Sequence, residues 1–290
     1  MNNNIKKISI VLISYNSSKK LVKFIKNIPK KSPILIIDNS RDLKLRKIFK
    51  KNKNVSIYFK KNNGYGASIN YAVKKIKTEY FFVAQPDVKG INKNSLLNFY
   101  NYAKKLNDKF SVMGPHFKKA PKSGHFQTNI KYDIKKIKNV HGSTIFFNKK
   151  VFIENRGFDS NIFLYWEETD YTKRALKNGF SAYQLNKVKV MHEKGKAVSV
   201  KDNQEEQKLI YLYSWHFIWS KFYFFNKHYG KTFALIYFIP ILLRILFRIS
   251  YYKLTNNNKF LKYYYRWDGV LSSILEKKSY MRLNNIKLNL

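Results

Sequence analysis

Cysteine is absent from this 290-residue chain. No disulfide framework and no thiolate metal site can form. A reducing compartment suits such a protein. Acids are also scarce: 17 Asp+Glu stand against 57 Lys+Arg, a formal net charge of +40. The chain has no Walker-type sequence, zinc finger, RNP or helix-turn-helix pattern. Gly64-Tyr65-Gly66 lacks the third glycine of a dinucleotide fingerprint, because Ile69 stands in its place. No signal-peptide core precedes the first apolar run, since Met1 to Lys7 is polar. The expectation is a protein that stays in the cytoplasm.

What is abundant is apolar and basic. Hydrophobic residues make up 44% and aromatics 17%, enough to bury a sizeable core. The basic excess draws anions: nucleic acid, acidic lipid headgroups, phosphorylated substrates. Its lysines are spread along the chain rather than clustered, and Lys, Asn, Ile, Phe and Tyr all have A/T-rich codons. Charge by itself therefore separates few functions.

Periodicity says more. Ile8 to Ser14, Ile34 to Ile37 and Tyr80 to Ala84 read as apolar, buried strands, and Val55 to Phe59 as an alternating one. Between them lie helix patterns through Leu21, Phe24 and Ile28, through Leu43, Ile48 and Phe49, and through Ile69, Val73 and Ile76. This alternation predicts an α/β domain with a largely parallel sheet. Asn16, Asp38 and Asp87 each follow a strand, and in open α/β sheets the ligand crevice lies at those ends. Further on, Val140 to Asn148 and Ser181 to Met191 read as strands. Asp170 to Asn178 reads as a helix stopped by Gly179.

From about Asn203 the composition changes. Leu209 to Tyr229 is rich in Tyr, Trp and Phe, and Thr232 to Ser250 is apolar but holds Pro240, Arg244 and Arg248. Its uncharged part is shorter than the roughly 20 residues of a spanning helix. Apolar residues flanked by Arg, Lys, Trp and Tyr suit a helix lying in a membrane interface, with an anionic leaflet as partner. The expected division is a catalytic domain over 1–203 and a helical, membrane-associating region over 204–290.

Because acids are few, their placement carries information. Glu167, Glu168 and Asp170 fall within one helical turn, where like charges raise a pKa and make a general base available. The same acids also suit a helix N-terminus electrostatically. Asp87 at a strand end can ligate a hard divalent cation, and His192 at another strand end can join it. Each has an ordinary alternative as a turn or surface residue.

In order along the chain, several segments resemble motifs of one family. They are Val11-Leu12-Ile13-Ser14-Tyr15-Asn16; Ile36-Ile37-Asp38-Asn39-Ser40; Asn62-Asn63-Gly64-Tyr65-Gly66 through Asn70; and Gln85-Pro86-Asp87-Val88. His141-Gly142-Ser143, Gly157-Phe158-Asp159, Trp166-Glu167-Glu168-Thr169-Asp170 with Arg174, and His192-Glu193-Lys194-Gly195 follow. Together they resemble the inverting GT-A glycosyltransferases of family GT2, in particular the rhamnosyl- and galactofuranosyltransferase-like branch. The resemblance implies a Rossmann-like nucleotide-sugar-binding GT-A fold and direct displacement with inversion. It implies that Glu168 is the base, with Glu167 and Asp170 beside it. Asp87 and His192 would hold Mg²⁺ or Mn²⁺. The donor would meet Tyr15, Asn16, Asp38, Asn63, Gly64, Asn70, Gln85, Pro86 and Asp87. The acceptor side would be Gly142, Ser143, Trp166 and Arg174. The favoured donor is dTDP-rhamnose, with UDP-sugars next. The basic, aromatic C-terminal third adds the expectation that the acceptor is a lipid-linked oligosaccharide in O-antigen or capsule synthesis, reached peripherally at the cytoplasmic face of the membrane. One departure stands out: Gln85 occupies the first carboxylate position of the family's D-x-D. The competing classes are a basic nucleic-acid-binding protein and an inactive, scaffolding relative.

Overall fold

The computed structural model describes residues 3–118, 132–193 and 197–288. Lys194 and Gly195 of the His192–Gly195 motif lie outside the described residues. The chain divides into two compact units. One comprises 1–159 and 167–199, the other 160–166 and 200–290.

The first unit is a nine-stranded mixed sheet flanked by helices. β1 (Ile8–Ser14), β2 (Ile34–Asp38), β3 (Val55–Phe59) and β4 (Tyr80–Ala84) are parallel, in the order β3-β2-β1-β4. The helices between them are α1 (Ser18–Ile25), α2 (Lys44–Ile48) and α3 (Tyr65–Val73). Alternate strand residues face opposite cores, as the pleat requires. Ile10, Leu12, Ile36, Phe82 and Ala84 face one, and Val11, Ile37, Phe81 and Val83 the other. Burial on both faces is what makes β1, β2 and β4 continuous apolar runs, whereas β3 at the sheet edge carries an exposed Ser56.

The second half of the sheet departs from the parallel pattern. β5 (Val88–Lys89), α4 (Lys93–Lys105), β6 (Val112–Phe117) and β7 (Ile134–Ile137) come next. They are followed by β8 (Thr144–Asn148), α5 (Lys149–Glu154), α6 (Glu167–Lys177) and β9 (Ala182–His192). β8 pairs antiparallel with both β4 and β6, whereas β6 runs parallel to β9. β5 and β7 pair antiparallel with β9. α4, β6 and β7 have no counterpart in the sequence reading. Gly114 and Pro115 interrupt the β6 pattern, and its register to β9 shifts between Pro115 and His116.

Two expected boundaries move. The Val140 strand begins only at Thr144, because 140–143 is a turn in which the Thr144 N–H donates to the His141 carbonyl. The helix expected at Asp170 begins at Glu167. Its first turn then carries Glu167, Glu168 and Asp170 at the positive end of the helix dipole.

The second unit is built on α7 (Asn203–Tyr229), α8 (Lys231–Leu254) and α9 (Lys259–Ile274). Asp202 caps α7, its side chain accepting from the Glu205 N–H. Ile218, Phe222, Ala234, Phe238, Ile245 and Val270 form the core. Gly269 lets α9 approach α7: a Cβ there would stand 2.7 Å from the Trp215 carbonyl oxygen. Segment 160–166 belongs to this unit through Phe163 stacked on His216 at 4.6 Å and the Ser220 hydroxyl donating to Leu164 O at 2.8 Å. A sequence division at 203 separates that segment from its packing partners.

α8 revises the length argument. It is one continuous 24-residue helix despite Pro240, with a window of mean hydropathy 2.0. By length and composition it can cross a membrane, although the uncharged stretch alone is too short. Only 17% of that window is buried. Leu243, Phe247 and Leu254 are 63%, 70% and 87% exposed.

Candidate active site

The end of β4 and the end of β9 bring the first pair together. Gln85-Pro86-Asp87 leaves β4 and passes into β5, where Val88 is opposite His192. Asp87 Oδ2 lies 3.3 Å from His192 Nε2, yet neither side chain makes a hydrogen bond. Both carboxylate oxygens and both ring nitrogens are buried. Buried polar groups left without hydrogen bonds are costly, and such a pair suits the binding of an ion or ligand. A carboxylate oxygen and an imidazole nitrogen are both ligands for Mg²⁺ or Mn²⁺, so the residues present fit a divalent cation. Among the described residues no third His, Asp or Glu joins them. The chain supplies two ligands, and the cation's other positions are left to water or phosphate oxygens.

α6 brings the second group. Glu167 is buried and has an oxygen without a hydrogen-bond partner. Desolvation and the adjacent Glu168 push its pKa well above the ordinary carboxylate range. Glu168 is only partly buried, and desolvation raises its pKa to about 7. That value suits a general base working near neutrality. The Glu168 carboxyl faces Gly142, where a Cβ would stand 3.4 Å from Cδ and 3.5 Å from Oε2. A larger residue at 142 would therefore crowd the acid.

Tyr65, the first residue of α3, ties the two groups together. Its hydroxyl donates to the Gly142 carbonyl at 2.9 Å. Burial first, then the Glu167, Glu168 and Asp87 carboxylates, raises its pKa well above the usual phenol value. A neutral hydroxyl is thus held among three acids. His141 adds a ring 5.2 Å from that of His192, and its Nδ1 lies 2.7 Å from the Ser143 hydroxyl. The Gln85 N–H donates to Ser143 O at 2.8 Å, which anchors this turn to the end of β4. Tyr65 and His141 lay inside recognised motifs, but nothing in their spacing gave them a role. Only the crossing of α3, β9 and the 140–143 turn does.

The donor-side residues form a rim at the ends of β1 and β2. Tyr15 and Asn16 follow β1, and Asn16 has φ 49° with its N–H donating to the Ser40 hydroxyl at 3.0 Å. Asp38 is fully buried and accepts from the Ser40 hydroxyl at 2.9 Å and the Asp42 N–H at 2.8 Å. Its carboxylate therefore shapes the loop after β2. Asn39 Nδ2 donates to the Ser68 hydroxyl at 2.8 Å, joining that loop to α3. Gly64 starts α3 at φ 107°, a conformation that favours glycine, and Asn63 is exposed beside it.

Three of the expected site residues make structural contacts. Asn70 holds Phe158 at both ends of its amide: Nδ2 donates to Phe158 O at 2.8 Å and Oδ1 accepts from Phe158 N–H at 3.0 Å. Arg174 Nε pairs with the buried Asp170 at 2.9 Å, and its Nη2 donates to Gly157 O at 2.6 Å. Arg174 Nη1 donates to Asn155 O. Asp170, Arg174 and Asn70, expected at the catalytic, acceptor and donor positions, together lock the 155–158 turn against α3 and α6. The sequence could not separate these roles, because an inward-facing brace and an outward-facing ligand need the same residue types. Trp166 belongs to the helical unit, with φ 71° and its ring 5.1 Å from Phe224.

Comparison with known proteins bears on the family and the fold. Residues 9–156 match the Glycosyl transferase family 2 profile. The low-salt glycan biosynthesis hexosyltransferase Agl10 of Haloferax volcanii is 21% identical over 207 residues, covering 64% of this chain and 66% of that protein. The mannosyltransferase PcManGT of Pyrobaculum calidifontis, solved with GDP-Man and Mn²⁺, superposes with a TM-score of 0.58 at 12% identity, over 94% of this chain and 88% of that one. S. aureus TarS superposes with a TM-score of 0.51 at 17% identity, over 72% of this chain and 39% of that one. The chain thus spans just under two thirds of Agl10 and about two fifths of TarS. At these identities the solved structures show the shared GT-A fold.

Proposed function

The chain belongs to glycosyl transferase family 2, and from that membership we propose that it transfers a hexosyl group from a nucleoside-diphosphate sugar to a hydroxyl of a lipid-linked oligosaccharide, with inversion. The observation that carries this reading is the buried, hydrogen-bond-free Asp87–His192 pair, set in one unit with a Glu168 carboxyl whose pKa is about 7. PcManGT binds GDP-Man and Mn²⁺ on the same fold, which supports a nucleotide-sugar donor and a divalent cation here.

Asp87 and His192 hold the cation, Mg²⁺ or Mn²⁺, which when bound supplies charge stabilisation for the departing diphosphate. Glu168 takes the proton of the acceptor hydroxyl as that oxygen forms its bond to the anomeric carbon. Glu167 lies beside it, its pKa pushed well above the ordinary carboxylate range by desolvation and by Glu168. Tyr65 fixes the Gly142 carbonyl and so the wall against which Glu168 rests. The rim of Tyr15, Asn16, the Asp38–Ser40 loop and Gly64 receives the nucleoside. Gln85 leaves the cation without a second Asp on its own loop, so His192 is the companion ligand. We assign dTDP-rhamnose as the first donor to test, UDP-sugars second, in cell-surface polysaccharide synthesis.

The exposed apolar arc of α8 supports a peripheral position on the cytoplasmic face of the membrane, where lipid-linked acceptors are found. The experiment is a thermal-shift panel of nucleoside diphosphates and sugar nucleotides with and without Mn²⁺. A selective, Mn²⁺-dependent shift identifies the base. Equal responses to every nucleotide, unchanged by Mn²⁺, would remove the donor assignment.

A further inference from the structure

The three-helix unit contains a cavity of about 210 Å³ lined by Lys221 of α7, Arg244 and Arg248 of α8, and Tyr263 and Arg266 of α9, over a floor of Phe217, Ile218, Ile241 and Ile245. Four cations share one pocket, and no carboxylate lies within ion-pair distance of any of them among the described residues. Like charges gathered without a counter-charge repel, so the arrangement is unfavourable until an anion enters. Arg266 shows the cost directly. Its Nε is buried with no hydrogen-bond partner, and burial together with Arg248 and Arg244 lowers its pKa. The Arg248 guanidinium donates to the Tyr263 hydroxyl, and both Arg248 and Arg266 lie over the Tyr263 ring, at 5.1 and 5.5 Å. The ring therefore orients two guanidinium groups towards one space. A water takes on the order of 30 Å³ of liquid volume, so the cavity has room for a phosphate group.

Its place on α8 narrows the source of that phosphate. At about 100° per residue, Arg244 lies at the edge of the packed face, within roughly 60° of Phe247 and 100° of Leu243. Both neighbours are among the most exposed apolar residues of the chain. The cationic pocket thus opens beside the exposed apolar arc. We propose that this pocket binds the headgroup phosphate of an anionic membrane lipid, with Arg244, Arg248, Arg266 and Lys221 around the phosphate and the α8 arc against the acyl chains. The assignment rests on the membrane reading above and adds a built recognition site to it. A guanidinium fork matches a phosphate in geometry as well as charge.

The test uses the full chain and its R244Q/R266Q variant, with K50Q/K51Q as a charge-matched control from two exposed lysines of the other unit. Each is sedimented with vesicles of neutral phosphatidylcholine and with vesicles doped with phosphatidic acid. Removing like charges that repel should leave the variant's melting temperature unchanged or raised, which confirms its fold. The expected result is a preference of the wild type for phosphatidic acid that falls roughly 25-fold in R244Q/R266Q, at about fivefold per charge. K50Q/K51Q should stay near wild type, and adsorption to neutral vesicles should be equal in all three. An undiminished preference in R244Q/R266Q overturns the site and leaves the membrane reading standing. An equal loss in K50Q/K51Q overturns it in favour of diffuse charge. No binding to any vesicle removes both. Pyrophosphate that stabilises the wild type but not R244Q/R266Q, without any vesicle preference, reassigns the pocket to a soluble phosphate and overturns the lipid source.

Discussion

Replacing Glu168 with Gln should make this protein more stable and less active, by amounts that depend on pH. The Glu168 pKa is about 7 in the folded chain against 4.5 unfolded. The folded state therefore binds the proton more tightly. Its contribution to stability is fully present below pH 4.5 and is lost as pH rises through 7. At 1.36 kcal/mol per unit, holding the ionised carboxylate at pH 8 costs the fold up to about 3 kcal/mol. Partial exposure of Glu168 lowers this somewhat. Gln keeps the shape and removes the charge. The variant should match wild type near pH 4, gain between pH 4.5 and 7, and level off above. For a unit of this size, about 3 kcal/mol is roughly 6–12 °C in Tm. Transfer should meanwhile fall about 10²–10⁴-fold, because no base remains. Wild-type kcat/KM should rise through about pH 7, with the same inflection as the stability difference. Thermal melts and initial rates over pH 4–8 read both quantities. A stability difference that is flat with pH, or a Gln variant that transfers at the wild-type rate, would refute the reasoning.

Other outcomes follow from the same geometry. Asp87→Asn and His192→Ala should each abolish the Mn²⁺-dependent thermal shift, and Asp87→Asn, which removes a buried charge that makes no hydrogen bond, should leave the metal-free Tm at or above wild type; a retained Mn²⁺ response would place the cation elsewhere. Arg174→Ala breaks the pair with fully buried Asp170 and should cost about 3–5 kcal/mol by urea melt. If instead stability is kept and only the acceptor KM rises, Arg174 belongs to the acceptor side after all. Gly157→Ala meets φ +57° and a Cβ 2.7 Å from Asn70 Oδ1, so it should destabilise by about 1–3 kcal/mol; a neutral melt would show that the 155–158 turn is not held as described. Gly142→Val, whose methyls extend beyond a Cβ already in contact with the Glu168 carboxyl at 3.4 Å, should lower kcat more than it raises donor KM, as steady-state kinetics would show.

How much of this was legible in the chain depended on whether the signal was local. β1, β2 and β4 could be read directly, because each is a short apolar run buried on both faces, and the ordered motifs pointed to the family that residues 9–156 match. β6 was not legible, because Gly114 and Pro115 break its pattern and its pairing to β9 comes from some 70 residues away. The acids of α6 were legible as a cluster, and their separate duties were not. Glu168 faces Gly142 while Asp170, about 160° round the helix from it, faces Arg174, and helical phase against the rest of the fold decides which is which. In the same way Asn70 and Arg174 had the right chemistry for ligands, and tertiary packing turned them onto the backbone at 155–158. Composition determined that the chain would be strongly basic with a scarce set of acids. Where four of its cations would meet without a counter-charge depended on how α7, α8 and α9 cross, because charge is carried by single residues and a binding pocket by the distances between them.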